Sequence, residues 1–117
     1  MDERILKWLY DIRFAIEEIN GYFEKCEKNF IAYRQNPMLK RAVERNLEII
    51  GEAMNRILKQ DSSFEEKITS AKAIVGLRNQ VIHAYDNISD ESIWSVLINH
   101  LPILKNEIEI LIVQSKS

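Results

Sequence analysis

Apolar residues recur every three or four positions along most of the chain, which is the spacing of one face of an α-helix. The pattern predicts four long helices, at about 2–25, 37–59, 70–85 and from 90 towards the C-terminus. The predicted buried stripes are Leu6, Leu9, Ile12, Ile16, Ile19 and Phe23; Leu39, Val43, Leu47, Ile50, Met54 and Ile57; Ile74, Leu77 and Val81; and Ile93, Leu97, Leu101, Leu104, Ile108 and Leu111. No stretch shows the alternation typical of a β-strand.

Polar residues mark where several of these helices start. Asp2 and Glu3 suit the first turn of the first helix, and Asn36-Pro37 is a strong start signal for the second. Either Thr69 or Ser70 is expected to cap the third helix. The last helix is expected to begin after the cap residue Ser89 and to kink at Pro102, while Asp86-Asn87 favours a turn.

Two short segments are less regular. Ser62 followed by Glu65 resembles a capping box, so a short extra helix is expected near 62–67. The segment 29–35 either begins the second helix or forms a turn of its own. Together these patterns predict an all-α fold, an antiparallel four-helix bundle forming one domain over residues 1–117.

Composition narrows the class of protein. The chain has one cysteine, Cys26, too few for an internal disulfide, and no apolar run long enough to span a membrane. Its acidic N-terminus is unlike a signal peptide, so a soluble, cytoplasmic protein is expected. The formal net charge of −2 argues against a general nucleic-acid binder, although a small basic site remains compatible with it.

The densest polar constellation is Arg78, Asn79, His83, Tyr85 and Asp86. At roughly 100° per residue, Asn79 and His83 are neighbours on a helix, and Arg78 nearly eclipses Tyr85. Arg78 and His83 diverge by roughly 140° on an ideal helix. A joint site would therefore need long reach by the arginine, distortion near the helix end, or a second copy of the chain.

These residue types suit phosphate chemistry. Histidine exchanges protons near neutral pH, and arginine remains charged and can hold phosphate oxygens. Without a metal or other cofactor, RNA cleavage needs a base for the 2′-hydroxyl, an acid for the leaving oxygen and a cation at the phosphate. The ordinary alternative is that Arg78, Asn79 and His83 only cap the helix and complement its dipole.

Two strings resemble the HepT-like branch of the HEPN proteins. GLRNQVIHAY, residues 76–85, resembles its Arg-x4-His-x-Tyr signature, and RAVERNLEIIGEA, residues 41–53, resembles its second-helix signature. Trp94 and Leu101-Pro102 also occupy places where this family often has such residues. The resemblance covers most of the chain.

The resemblance implies a toxin of a type VII toxin–antitoxin pair, a metal-independent endoribonuclease acting on RNA as a homodimer. His83 would be the acid/base group, Arg78 the phosphate-stabilising cation, and Asn79 a positioning residue. It also implies a MntA-like nucleotidyltransferase antitoxin that adenylylates Tyr85 (AMPylation). The alternative is a non-catalytic helical subunit that binds substrate for a nucleotidyltransferase, but related bundles of that kind generally lack Arg-x4-His.

Other polar residues are weaker candidates. Glu44, Glu48 and Glu52 recur every four residues and could bind a metal, but the interleaved arginines favour a salt-bridged face. His100 has no partner at metal-ligand spacing and is expected at the core edge or surface. The remaining candidates are expected to be packing or dimer residues or an ordinary thiol: Trp8, Trp94, the tyrosines of the first two helices and Cys26.

Overall fold

The structure is a computed structural model that describes residues 1–83 and 89–116, except for the side chains of residues 78–83. Helices account for most of this part of the chain, and it contains no β-strand, which confirms the predicted all-α class. The elements are α1 (Glu3–Lys25), α2 (Phe30–Arg34), α3 (Pro37–Gln60), α4 (Phe64–Lys67), α5 (Ala71–His83), α6 (Asp90–Ser95), a π-helical segment (Val96–His100) and α7 (Leu101–Ser115).

Side-chain caps define the starts of four of the described helices. Those at Asn36 and Ser89 confirm the prediction, whereas Asp2, expected within the first turn, is the cap residue before it. The Asp2 carboxylate accepts a hydrogen bond from the backbone N–H of Arg4, and the Asn36 side chain accepts one from Leu39. The Ser89 hydroxyl accepts one from the backbone N–H of Ser92 at 3.0 Å. The Asn29 side chain also caps, which makes α2 a separate short helix.

The short helix near 62–67 exists, but Ser62 does not cap it. α4 begins at Phe64 after Ser63, whose side chain makes no capping hydrogen bond. Instead the Asp61 carboxylate accepts hydrogen bonds from the Ser63 backbone N–H at 3.0 Å and from its hydroxyl at 2.6 Å. An aspartate that bonds two residues ahead forms a turn of its own, and this turn displaces the expected capping box.

The last predicted helix is interrupted just before Pro102. The N–H of Leu101 donates to the carbonyl of Val96, five residues earlier, which closes the wide turn of the π-helical segment. Pro102 is then the second residue of α7, where a missing backbone donor costs little. The proline therefore coincides with a change of helix type, where the sequence predicted a kink in one continuous helix.

α3 lies at the centre of the bundle and packs against α1 and α5, while α1 also packs against α7. The predicted stripes are buried wherever the structure describes their side chains, except that Leu6 and Phe23 are half-buried. Burying each such leucine or isoleucine contributes roughly 1.5–3 kcal/mol, so this shared core holds the bundle together. None of the described helices has an apolar stretch long enough to cross a membrane.

Candidate functional site

Three of the predicted site residues, Arg78, Asn79 and His83, lie in the C-terminal half of α5. Their side chains lie outside the part of the chain that the structure describes, and so does the whole of Tyr85. The backbone is helical through His83, so the five-residue spacing between Arg78 and His83 falls on one continuous helix. Positions 78 and 83 therefore lie about 140° apart around α5, as expected for an ideal helix.

The N-terminal end of α5 is held against the last helix by two side-chain contacts. The Ser70 hydroxyl lies 3.0 Å from Nδ1 of His100, at the end of the π-helical segment. The Glu107 carboxylate accepts hydrogen bonds from the Thr69 backbone N–H at 3.0 Å and from its hydroxyl at 2.7 Å. Ser70 directly precedes α5, and its carbonyl accepts from the N–H of Ile74, so Ser70 holds the cap position.

An ion pair between α3 and α6 holds the chain just after the Arg78–His83 motif. The Lys40 ammonium at the start of α3 lies 3.1 Å from the Asp90 carboxylate, at the first residue of α6. Both side chains are largely shielded from solvent, with 28% and 21% exposed. The α5 segment that carries Arg78 and His83 is therefore followed, seven residues beyond His83, by a second anchored helix start.

A buried tyrosine and two carboxylates occupy the same end of α3. Tyr33 is fully buried, and its hydroxyl has no hydrogen-bond partner among the described residues. Burial raises the pKa of Tyr33 far above its usual range, and the charges of Glu44 and Asp90 raise it further. Burial also raises the pKa of Glu44, with a smaller contribution from Asp90 that Lys40 and Arg41 oppose.

The motif-bearing half of α5 points towards the end of α3 that carries this cluster. Only residues 61–70 separate α3 from α5, and the two helices pack together, so they run in opposite directions. α5 has 13 residues and α3 has 24, so α5 extends from near the end of α3 to about its middle. The burial of Tyr33 agrees with the packing role expected for the tyrosines, whereas the partial burial of Glu44 was not expected for a salt-bridged face.

Two of the three glutamates on α3, Glu48 and Glu52, form salt bridges with neighbouring arginines. Glu52 lies 2.7 Å from Arg56, and Glu48 lies 3.9 Å from Arg45. Among the described residues, no group of three or more histidine, cysteine, aspartate or glutamate side chains could hold a metal ion. These contacts favour the salt-bridge interpretation of Glu48 and Glu52, whereas Glu44 faces a more buried environment.

Asn46 is a buried polar residue that the sequence patterns did not single out. Only 3% of it is exposed, and its amide donates to the Tyr22 hydroxyl at 2.8 Å and to the Ala42 carbonyl at 3.3 Å. It lies within the string RAVERNLEIIGEA and ties α3 to α1. A buried amide needs hydrogen-bond partners, and Asn46 finds them on α1 and α3. Packing between these helices therefore explains an asparagine at this place in the string.

The remaining candidates are packing residues or lie at the edge of the core. Trp94 contacts the rings of Phe23, Phe30 and Tyr33. His100 is half-buried, and Cys26 is a half-buried free thiol. These placements agree with the expectations drawn from the sequence.

Comparison with known proteins covers the candidate site and most of the bundle. Residues 12–111 match the family described as "Ribonuclease HepT-like". The chain is 35% identical over 113 residues to "Putative RNase MJ1380" of Methanocaldococcus jannaschii, covering 94% of this chain and 99% of the relative. It is 31% identical over 110 residues to "Putative RNase TTE0752" of Caldanaerobacter subterraneus subsp. tengcongensis, covering 92% of this chain and 90% of the relative.

A third relative carries the family name itself. "Probable ribonuclease HepT" of Thermococcus cleftensis is 31% identical over 103 residues, which cover 87% of this chain and 90% of the relative. No solved structure gives a significant match. Because the family match spans α1 to α7 and includes the Arg78–His83 segment, the chain belongs to the HepT-like ribonuclease family.

Proposed function

We propose that this protein is a metal-independent endoribonuclease in which Arg78 and His83 act on the scissile phosphate and Asn79 positions the motif or the substrate. The main support is the ribonuclease family match over residues 12–111, which contains Arg78-x4-His83 intact. The anchored ends of the surrounding segment add to it, because catalytic groups need a rigid support.

The chemistry follows from the residue types. Neutral His83 accepts the proton of the 2′-hydroxyl, and the 2′-oxygen attacks phosphorus. The bond from phosphorus to the 5′-oxygen then breaks, and the leaving oxygen takes a proton from an acid, leaving a 2′,3′-cyclic phosphate. Arg78 stabilises the extra negative charge on the phosphate oxygens. Only RNA carries the internal nucleophile that this route requires.

The active unit is proposed to be a homodimer. Positions five apart on a helix diverge by roughly 140°, so Arg78 and His83 of one chain do not share a face of α5. A second copy placed against this helix would bring two arginines and two histidines to one cleft. One histidine would then serve as the base and the other as the acid.

The protein is further proposed to be the toxin of a type VII toxin–antitoxin pair. Its antitoxin would be a MntA-like nucleotidyltransferase that adenylylates Tyr85, two residues beyond His83. A bulky anion at that position would repel RNA phosphates and block the cleft, which is a direct way to silence a ribonuclease.

Cleavage of RNA in EDTA tests the catalytic proposal. The purified protein should cut RNA and leave cyclic-phosphate ends, and His83→Ala should abolish cutting while the helical circular dichroism spectrum is kept. Glu66→Gln, a change at an exposed position on α4, is the matched control and should cut normally. Equal cleavage by wild type and His83→Ala would overturn the assignment.

Intact mass spectrometry after co-expression with an adjacent nucleotidyltransferase gene tests the regulatory proposal. A mass gain of one adenylyl group that disappears in Tyr85→Phe supports it. A protein that never cuts RNA, yet binds this partner and raises the partner's activity, would instead be a non-catalytic substrate-binding subunit.

A further inference from the structure

A cluster of aromatic rings joins the end of α1, α2 and α6. The Trp94 ring lies at the centre, with its centroid 5.8 Å from that of Phe23, 6.0 Å from that of Phe30 and 5.4 Å from that of Tyr33. Tyr33 is fully buried, but Trp94, Phe23 and Phe30 are only half-buried. The cluster therefore reaches the surface on one side of the bundle.

Two exposed cations lie over its outer rings. The Lys28 ammonium is 5.7 Å from the centroid of Phe23, and the Arg34 guanidinium carbon is 5.7 Å from the centroid of Phe30. Both distances fall within the range of cation–π attraction. Neither cation pairs with a carboxylate among the residues that the structure describes, whereas Arg13, which also lies over a ring, pairs with Glu109.

The patch formed by these rings and the two cations is separated from the proposed catalytic segment by only a short stretch of chain. Trp94 is one helical turn beyond Asp90, and α6 begins after Ser89, six residues past His83. Six residues span at most about 20 Å when fully extended. Ser89 therefore lies within about 20 Å of His83, and Trp94 follows one to two helical turns later, so a strand of several nucleotides is long enough to extend from His83 to the patch.

We propose that Lys28 and Arg34, supported by the rings of Phe23, Phe30 and Trp94, bind a single-stranded segment of the RNA next to the cleaved bond. This inference rests on the proposed function, because it assumes RNA as the substrate. Bases stack on aromatic rings and on arginine guanidinium planes, and lysine and arginine side chains also pair with RNA phosphates. A chain of net charge −2 lacks general attraction for RNA, so local contacts of this kind carry its binding.

The surrounding charges favour one strand over a duplex. Glu24 and Glu27 are exposed in the same stretch of chain as Lys28, so the patch is narrow and is not part of a broad basic face. A duplex presents two phosphate backbones over a wide surface and would meet these carboxylates. A single strand can follow the two cations and turn its bases towards the rings.

The test measures binding separately from cleavage. In a His83→Ala background, wild-type positions 28 and 34 are compared with Lys28→Gln/Arg34→Gln, using a fluorescein-labelled 12-nucleotide single-stranded RNA and fluorescence anisotropy. The double substitution should weaken binding at least tenfold and reduce the slope of log K against log salt by about 1.4, since each lost phosphate contact on a single strand contributes about 0.7. Lys59→Gln/Lys105→Gln, at two exposed lysines elsewhere, is the control of equal charge change.

A conservative variant separates stacking from charge. Arg34→Lys keeps the charge but loses the planar group. Its affinity for the RNA should therefore lie between those of the wild-type positions and the 28/34 double variant, and the slope of log K against log salt should not change. In protein with His83 intact, the 28/34 double variant should raise KM and leave kcat unchanged. Equal loss in both double variants, no loss in either, or no RNA binding at all would overturn the inference. If the protein never cuts RNA, weaker binding by the 28/34 variant would uphold single-strand binding at this patch and reject the catalytic proposal.

Discussion

The hydroxyl of Ser70 lies 3.0 Å from Nδ1 of His100, which ties the start of α5 to the last residue of the π-helical segment. Thirty residues separate the two along the chain. With the neighbouring Thr69–Glu107 hydrogen bonds, this contact fixes one end of the helix that carries Arg78 and His83.

Ser70→Ala should therefore lower the free energy of unfolding by about 1 kcal/mol, because it removes the hydrogen bond of a buried hydroxyl and leaves the His100 nitrogen without that partner. Urea denaturation measures the loss. Ser62→Ala, at an exposed serine, is the control and should change stability little. An unchanged midpoint for Ser70→Ala would show that water replaces the contact at no cost.

Tyr33→Phe should raise the free energy of unfolding by about 1 kcal/mol. The buried Tyr33 hydroxyl has no hydrogen-bond partner in the part of the chain that the structure describes, and such a hydroxyl costs about 1–3 kcal/mol. Tyr22→Phe is the matched comparison. It should destabilise the protein, since the Tyr22 hydroxyl accepts a hydrogen bond from buried Asn46. Thermal denaturation of both variants checks the opposite signs, and equal shifts would contradict the difference in their surroundings.

Glu44→Gln should stabilise the protein at pH 7 to 8 and have little effect at about pH 4. Burial raises the pKa of Glu44 above its ordinary 4.5, so the folded state binds this proton more tightly than the unfolded state. Stability is therefore lost as pH rises from the ordinary value through the raised one, and glutamine removes that loss. Melting temperatures across this range, with Glu66→Gln as the exposed control, measure it; a gain that is independent of pH would exclude this cause.

Gly76→Ala and Gly21→Ala should each raise the stability of one protomer by up to about 1 kcal/mol, because both glycines are helical and a Cβ there meets none of the described atoms within 4 Å. Only Gly76 lies on α5, two residues before Arg78. If a second copy packs closely on this part of α5, Gly76→Ala should weaken dimerisation and Gly21→Ala should not. Sedimentation equilibrium at several concentrations separates the two effects, and a monomeric wild type would contradict the proposed dimer cleft.

The helices were predictable because their signal is local. Stripes such as Leu39 to Ile57 repeat with the period of the helix itself, and the caps Asn36 and Ser89 act within three residues. Which of two neighbouring residues forms a turn was less predictable. Asp61 and Ser62 are both good turn or cap residues, and only the packed structure shows that Asp61 forms the turn.

The contacts that hold the candidate site were not predictable from spacing. Ser70 with His100 and Lys40 with Asp90 are 30 and 50 residues apart, and no periodic pattern relates such positions. Burial of Tyr33 beside Glu44 likewise depends on how three helices meet. Sequence pattern indicated the chemistry of Arg78 and His83, whereas the supports around them depend on the tertiary fold.

The π-helical segment allows the stretch from α6 to α7 to lose one residue without turning its buried face away from the core. Its wide turn contains one residue more than the same turn of an α-helix would need, and the buried stripe continues through it by steps of four from Ile93 to Leu97 and Leu101. Deletion of one exposed residue, Ile98 or Asn99, would convert the wide turn into an ordinary one and keep α6 and α7 facing the core. Because the segment ends at His100, whose Nδ1 lies 3.0 Å from the Ser70 hydroxyl, such a deletion also shows whether the contact that holds the start of α5 depends on the wide turn.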